Sequence, residues 1–594
     1  MANVGFFLNI LQPVLALTLV ICLVYVLYRD LMRPAFAFLG TAFIFIVLQI
    51  ISPEEFLNGL ANKQIIVIFL LIGVTAGIQK NIGATFFYRL FNEKLSPNVF
   101  RTKLMVTVGG LSALLNNTPI VAFMIPYVKG WAEKNGYPAS KFLIPLSYAT
   151  ILGGMITVVG TSTNLVLNGL ISQYGLPLLG FQDFLYIGIG TAILGITYLS
   201  LFSNLLLPNR EENKKEVIAH INDYIIETMV VNGSDLEGMT VKEAGLRNLK
   251  EIFLAEISRE GREISPVSPK ELLKSGDKLF FTGKTEAILS LVNQQKGLVL
   301  PEETHVNENG YFKLTEAVVP ASSGLIGEKV KDSDFRKRFQ ASILSIYRNG
   351  EKLRGNIGET RFVAGDLLLM LSGEESFQQE NNKDLIIITV REEIDSGKKH
   401  KSITPSILAL MILVLGIIGW IDLFLAAFGC ILMLYVWKVL NLNLLRKAID
   451  LDLLLILVSS LAIGVGLKNS GAASILVDGI FWLSEGSHIM VSVSLLFIFT
   501  LLLTSMITNA AAVSIMFPIA LEMATRLDAP VSAFFLAIAF AASGDFMTPI
   551  GYQTNLMIMG PGNYRFKDYF KIGFPLTIIY TFATLLGIKL YYYL

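Results

Sequence analysis

Two stretches about 400 residues apart carry the same polar frame, Thr157-x-x-Gly160-x-x-Thr163-Asn164-Leu165 and Thr548-x-x-Gly551-x-x-Thr554-Asn555-Leu556. Each lies in an apolar segment. Glycines, hydroxyls and amides are costly there unless the backbone they free lines a cavity inside the protein. Breaks in corresponding places of two halves point to a transporter binding site. Two further interruptions accompany them: Asn116-Asn117-Thr118-Pro119 within 104–128, and Thr508-Asn509 within 489–520. The chemistry on offer is oxygen coordination of sodium. Ser112, Asn116, Asn117 and Thr118 stand across from Gly160, Thr161 and Asn164; Thr504, Thr508 and Asn509 face Gly551, Tyr552 and Asn555. Ser112 and Asn116 are four apart, as are Thr504 and Thr508, which predicts one helix face for each pair. The plain alternative is hydrogen bonding between helices; two symmetric clusters, each with a glycine break, favour a site. Helix N-termini and hydroxyls would suit a small oxyanion such as sulfate. Asp545 replaces the repeat-mate Gly154 near the middle of its span. It reads as a cation ligand, a proton-linked group, or a carboxylate paired with a backbone N–H or a lysine.

The elements that must position these residues are apolar. Hydrophobic residues make up 53% of the 594 and charged ones 16%, the charge being concentrated in 208–402. This predicts a membrane protein interrupted by one soluble insert. A net charge of +1 argues against nucleic acid as a partner. Cys22 and Cys430 both lie in apolar segments and the four histidines are scattered, which argues against disulfides and against Cys or His metal sites. No secretory signal is read at the start, because the first apolar run has no basic residue before it.

Spans of about 20 apolar residues are predicted at 6–28, 35–52, 64–79, 142–170, 183–207, 404–420, 423–438, 453–468, 531–560 and 573–592. The basic residues alternate to one side if 104–128 and 489–520 are re-entrant hairpins; kinked spans are the alternative. Four blocks match in order between the halves, among them Lys80–Ala84 with Lys468–Ala472, and Asn117, Val121, Met124 and Pro126 with Asn509, Val513, Met516 and Pro518. Five spans plus a hairpin reverse the second copy, so the fold class is an α-helical polytopic membrane protein with an inverted repeat and alternating access. Its halves are 1–207 and 403–594.

The insert is a tandem repeat at a spacing of 89: Leu236, Gly238, Val241, Arg259, Gly261, Gly276 and Asp277 recur as Leu325, Gly327, Val330, Arg348, Gly350, Gly365 and Asp366. Strands are predicted at Tyr224–Val231, Ile252–Arg259 and Lys278–Thr282, then Phe312–Val319, Ala341–Arg348 and Leu367–Leu371. A helical stretch is predicted between the first two strands of each copy. Two α+β modules, 208–300 and 301–402, follow, placed in the cytoplasm by the charge count. Neither a dinucleotide fingerprint nor a phosphate loop is present, so the chain does not read as an enzyme.

On these motifs the chain resembles the divalent anion/sodium symporter family. Asn116-Asn117-Thr118 and Thr508-Asn509-Ala510 approximate its hairpin tips, and Gly160–Asn164 and Gly551–Asn555 its unwound loops. The resemblance implies two sodium sites, one at Ser112, Asn116, Asn117 and Gly160, the other at Thr504, Thr508, Asn509 and Gly551, with Asn164 and Asn555 beside them. It implies substrate at Asn117, Thr118, Thr161, Ser162, Asn509, Tyr552 and Gln553, and a homodimer in the cell membrane with elevator-like motion. The insert is similar to tandem TrkA-C domains, which implies a small regulatory ligand. Ser162-Thr163 and Gln553-Thr554 stand where dicarboxylate carriers tend to have prolines, which favours sulfate. Two other classes stay open: a potassium channel gated by the insert, and a cation/proton antiporter using Asp545.

Overall fold

Apolar backbone at bilayer depth satisfies itself as helix, and glycine, proline and asparagine set where these helices stop. The computed structural model describes residues 2–29, 31–60, 62–90, 95–210, 404–448, 451–484, 488–549 and 551–594, and parts of 225–388. Two compact units result, 1–209 with 391–594, and 210–390.

In the first unit the leading helices are α1 (Ala2–Tyr28), α2 (Pro34–Val47), α3 (Pro53–Leu60), α4 (Lys63–Leu90), α5 (Pro97–Ser112), α6 (Asn117–Lys134), α7 (Leu143–Gly154), α8 (Ser162–Gln173) and α9 (Phe181–Leu206). The second unit contributes α10 (Phe335–Phe339). The first unit then resumes with α11 (Thr404–Ile418), α12 (Leu423–Val436), α13 (Leu442–Ala448), α14 (Leu451–Asn469) and α15 (Ala472–Ser484). It ends with α16 (Ile489–Thr504), α17 (Asn509–Arg526), α18 (Val531–Ser543), α19 (Gln553–Met559) and α20 (Phe566–Tyr592).

Two of the predicted spans are not continuous helices. Region 142–170 is α7 and α8 with a non-helical stretch between them, and 531–560 is α18 and α19 with another. The helices α3, α13 and α15 were not expected from the apolar pattern. Gly471, at φ 75°, turns the chain from α14 into α15. There the backbone adopts the left-handed conformation that glycine takes without steric cost, and the bend is 72°. Among the described residues, three helical stretches, 53–78, 181–206 and 566–592, are long and apolar enough to cross a membrane, four if the bent pair counts as one. Several other apolar helices run 10–17 residues. At 1.5 Å per residue these stretches are shorter than a full span; Ile489–Thr504 and Val531–Ser543 end at the polar breaks.

The central helices are α7, every residue of which is buried, and α18, buried from Ala533 to Ser543. A helix that is apolar all round belongs inside a bundle. The surroundings correspond: α7 packs on α5, α6 and α9, while α18 packs on α16, α17 and α20. Small residues set these approaches. A Cβ on Gly153 would fall on the Gly109 backbone of α5. Gly188 of α9 lies against the backbone of Met155 and Ile156, and Gly573 of α20 against that of Phe546 and Met547, so each long helix braces one break.

In the second unit the predicted strands form close to the expected bounds, though Tyr224 and Phe312 lie outside the described residues, as do the boundaries drawn at 300 and 402. One antiparallel sheet has the order β3 (Arg262–Ile264), β2 (Ile252–Arg259), β4 (Lys278–Gly283), β1 (Ile225–Val230) and β5 (Leu298–Val299). The other runs β8 (Glu351–Lys352), β7 (Ala341–Arg348), β9 (Leu367–Ser372), β6 (Lys313–Val318) and β10 (Ile386–Ile387), which is the same order. Even the irregularity repeats, between Leu254 and Glu256 and between Ile343 and Ser345. Each copy buries an aspartate under a two-pronged arginine: Arg259 on Asp277 at 2.8 Å, and Arg348 on Asp366 at 2.7 and 2.8 Å. The helix expected between the first two strands appears in the second copy as the short α10. In the first copy the described residues 231–247 form turns, tightened by Gly233, Gly238 and Gly245.

Gly153→Ala is expected to lower the thermal unfolding midpoint, by an overpacking cost of roughly 1–3 kcal/mol. Gly190→Ala, where nothing lies within 4 Å of an added Cβ, is expected to be neutral or to stabilise by up to about 1 kcal/mol. Differential scanning fluorimetry of the two purified variants checks the contrast.

Candidate functional site

The polar residues singled out in the sequence converge where α6, α8, α17 and α19 begin. Helix α5 ends at Ser112 and α6 starts at Asn117; α16 ends at Thr504 and α17 starts at Asn509. The chain therefore leaves the helix between Ser112 and Asn116, and between Thr504 and Thr508, so neither pair shares a helix face. The working partners are five apart. Ser112 Oγ contacts the Asn117 amide, and Thr504 Oγ1 lies 3.0 Å from that of Asn509. Both hydroxyls spend their proton on a carbonyl 38 residues further on, Thr150 O at 2.8 Å and Ala542 O at 2.7 Å.

That commitment orients the two amides, since a hydroxyl already donating must accept from its neighbour. Asn117 Nδ2 thereby donates to Ser112 Oγ, to Thr150 O at 3.1 Å and to Gly160 O at 3.3 Å, while its Oδ1 accepts from the Tyr552 hydroxyl at 2.6 Å. Asn509 Nδ2 likewise donates to Ala542 O at 3.2 Å, Thr504 Oγ1 at 3.0 Å and Gly551 O at 3.0 Å. Each asparagine thus points one end at three oxygens, one from the end of the preceding helix, one from a central helix and one from a break. Gly160 and Gly551 are required by this closeness. A Cβ on Gly160 would lie 2.7 Å from Ser112 O, and one on Gly551 would lie 2.8 Å from Thr504 O.

The remaining predicted residues divide by position. Asn116 and Thr508 are N-caps without side-chain capping bonds; Asn116 lines a small cavity with Ser162, Thr75 and Leu165, and Thr508 is exposed. Thr118 Oγ1 lies 3.3 Å from Gln553 Oε1, and Thr161 Oγ1 3.4 Å from the Tyr552 hydroxyl. Asn164 and Asn555 staple the breaks. Asn164 Nδ2 donates to Thr157 O at 3.1 Å, and Asn555 Nδ2 to Asp545 O at 3.1 Å and Thr548 O at 3.2 Å. Asn555 Oδ1 is taken up by Ser147 Oγ at 2.7 Å, whereas the buried Asn164 Oδ1 has no partner among the described residues.

The two halves differ at Asp545, which is fully buried. In the first half Thr157 Oγ1 donates to the tip carbonyl of Ala113 at 2.5 Å and accepts from Gly160 N at 3.1 Å. In the second, Thr548 Oγ1 donates instead to Asp545 Oδ2 at 2.7 Å and accepts from Gly551 N at 3.3 Å. No lysine pairs with the carboxylate among the described residues, and its Oδ1 lacks a hydrogen-bond partner there. The repeat-mate Gly154 leaves little room for a side chain, because an added Cβ would lie 2.7 Å from the inward end of the Asn117 amide and 3.2 Å from Gly160 O.

Sequence reasoning missed the roles of three pairs of contributors. Thr150 O and Ala542 O are backbone groups that any residue type carries. Ser147 and Tyr148 reach from α7 to the second break, at Asn555 and at the Phe546 carbonyl; nothing in an all-buried helix marks them out. Thr157 and Thr548 were visible in the repeated frame, but without a stated role.

Broken helices facing one another across a polar centre define a membrane transporter, and relatives named as transporters agree with a non-enzyme. The chain belongs to the CitMHS citrate transporter family, whose model matches residues 15–415 and 410–594, and is accordingly a multi-pass membrane protein. It is 32% identical over 570 residues to the uncharacterized transporter sll0640 of Synechocystis, covering 93% of this chain and 92% of that one. It is 29% identical over 362 residues to sodium/sulfate cotransporter 1 of Chlamydomonas reinhardtii, covering 57% of this chain and 40% of that one. The crystal structure of the Alcanivorax borkumensis YdaH transporter aligns with 90% of this chain and 87% of its own at 12% identity, with a TM-score of 0.44, too low to establish a shared fold.

Asn555→Ala strips the donor from the buried Asp545 carbonyl and the half-buried Thr548 carbonyl and leaves Ser147 Oγ with Thr554 Oγ1 alone, each unsatisfied buried group costing about 1–3 kcal/mol. It is expected to lower the unfolding midpoint more than Asn164→Ala, which releases one carbonyl. Equal midpoints in tryptophan-fluorescence melts would contradict the stapling role.

Proposed function

We propose that the protein is a sodium-coupled symporter of a small divalent oxyanion, sulfate, working by elevator-type alternating access. The observation that carries this reading is the pair of oxygen cages. Ser112 Oγ, Thr150 O and Gly160 O surround one end of Asn117; Thr504 Oγ1, Ala542 O and Gly551 O surround one end of Asn509. With the amide nitrogen turned in, each cage is hydrogen-bonded. With the amide oxygen turned in, each becomes a set of four oxygens suited to an alkali cation. Asp545 gives the second cage a carboxylate that the first lacks.

The oxyanion would lie between the cages, at Asn117, Thr118, Thr161, Ser162, Asn509, Tyr552 and Gln553. Helices α6, α8 and α17 begin there, and none has a side-chain cap on its first N–H groups, which leaves donors and a positive dipole end for an anion. Relatives named as sodium/sulfate cotransporters support sodium and sulfate; the family description supports citrate as the competing substrate. The corresponding packing of α5–α7 with α9 and of α16–α18 with α20 supports an inverted repeat with re-entrant hairpins. The rest of the proposal is a homodimer in the plasma or inner membrane, whose cytoplasmic insert holds two TrkA-C-like modules for a small regulatory ligand. The matching strand orders support a tandem pair. The unpaired Asp545 oxygen favours one second reading, proton coupling or cation/proton antiport.

Uptake of radioactive sulfate into proteoliposomes is expected to rise with an inward sodium gradient and to be outcompeted by excess sulfate but not by citrate. Equal stimulation by a proton gradient would shift the assignment to Asp545, and a sulfate-independent potassium current would sink the symporter. Asp545→Asn removes the carboxylate from the second cage and is expected to raise the sodium concentration for half-maximal uptake roughly tenfold, the equivalent of about 1.4 kcal/mol. An unchanged sodium dependence would exclude the carboxylate from the cation site.

A further inference from the structure

The Asn117 amide is bonded at both ends, and its outer partner comes from the other half of the chain. Its inner end faces Ser112 Oγ, Thr150 O and Gly160 O, and its outer end faces the Tyr552 hydroxyl at 2.6 Å. The oxygen and nitrogen ends of a planar amide have nearly the same shape, so both orientations fit this space, with opposite hydrogen-bond directions. With the nitrogen inward, the Tyr552 O–H donates to Asn117 Oδ1. With the oxygen inward, Asn117 Nδ2 donates to the Tyr552 oxygen, and the tyrosine proton must find another acceptor.

A cation in the first cage settles which orientation holds, because it attracts the amide oxygen and repels the amide N–H groups. Tyr552 is the N-cap of α19 and only 7% exposed, so its proton is not simply surrendered to bulk water. The nearest other oxygen described is Thr161 Oγ1 at 3.4 Å, at the outer limit of a hydrogen bond. The second cage has no such link: the outer end of Asn509 has no tyrosine partner among the described residues, and the repeat-mate of Tyr552 is Thr161.

We propose that Tyr552 is a hydrogen-bond switch: a cation entering the first cage turns the Asn117 amide, which releases the Tyr552 hydroxyl to donate to the bound oxyanion. This rests on the sodium and oxyanion reading above and adds to it the residue that transmits sodium occupancy to the anion. Before sodium binds, the hydroxyl is committed to Asn117 and presents its oxygen to an arriving anion, which repels it. After sodium binds, the same hydroxyl presents its proton. The first cage therefore controls anion affinity through one side chain, and the second cage does not share that route.

The test uses the full-length protein in nanodiscs, with radiolabelled sulfate binding measured at zero and saturating sodium, choline replacing sodium. In the wild type, sodium is expected to raise sulfate affinity about tenfold or more. In Tyr552→Phe that ratio is expected to fall at least threefold, while sodium alone still raises the thermal midpoint because both cages remain. A Tyr552→Phe protein with the wild-type ratio overturns the switch. A second measurement guards against misfolding of the variant: the tyrosine Fermi doublet in ultraviolet resonance Raman spectra of the wild type, with and without sodium and without anion. Movement of one tyrosine from donor to acceptor supports the switch, and an unmoved doublet overturns it. Sodium-independent sulfate binding by the wild type overturns both the coupled-symport reading and the switch. Absence of sulfate binding with a sodium-driven doublet shift removes sulfate as the substrate and leaves the switch standing.

Discussion

Everything in the membrane unit depends on how two interrupted helices satisfy backbone groups that have no water to turn to. Ending α7 at Gly154 and restarting at Ser162 frees carbonyls and N–H groups at a depth where each orphan costs several kcal/mol. The chain answers with side chains drawn from the breaks themselves: Thr157 caps Gly160 N, Asn164 holds Thr157 O, and in the second copy Thr548 and Asn555 do the same. Glycines on the neighbouring long helices, Gly188 and Gly573, let backbone meet backbone at each break. The functional geometry follows from this. Carbonyls held in fixed directions are what a cation site needs, and the residues that hold them are those that make the break affordable.

The positions of the breaks were legible in the sequence, because Thr-x-x-Gly-x-x-Thr-Asn-Leu is conspicuous in an apolar setting and occurs twice. The strands of the insert were legible too, from alternation and a Gly-Asp turn repeated at a fixed spacing. The pairing of Ser112 with Asn117 was not. Helical periodicity points to i+4, and the true partner at i+5 exists only because the helix stops between them. Backbone partners such as Thr150 O and Ala542 O escape sequence reading altogether, since their residue types are incidental. Helix α15 was hidden for another reason: it begins just after a left-handed glycine and runs only 13 residues, too few to be read as a span of its own.

The two halves repeat their scaffolding closely and their chemistry loosely. The hydroxyl-to-carbonyl bonds of Ser112 and Thr504 span the same 38 residues. Against that constancy, Gly154 against Asp545 and Thr161 against Tyr552 stand out as the places where the copies part. An added side chain at 154 would press on the Asn117 amide, so the carboxylate of the second copy could enter the first only by displacing that amide. One repeat therefore carries the charge and also lends the tyrosine, while the other carries the asparagine that this tyrosine addresses.

That division suits the proposed cargo. A dianion approaching a buried carboxylate meets repulsion that a low-dielectric interior strengthens. A cation beside Asp545 offsets that charge locally, whereas one beside Asn117 adds a net positive charge to a neutral cage. In the proposed cycle the second cage thus makes the site tolerant of an anion and the first makes it attractive. Turning the Asn117 amide gives up its inward N–H bonds to Thr150 O and Gly160 O and leaves oxygens facing oxygens, so the turned state is unfavourable until a cation fills the cage. The bias comes almost wholly from the cation, and a coupling of about 1–3 kcal/mol, the usual range between linked sites, is within reach of a single hydroxyl changing from acceptor to donor.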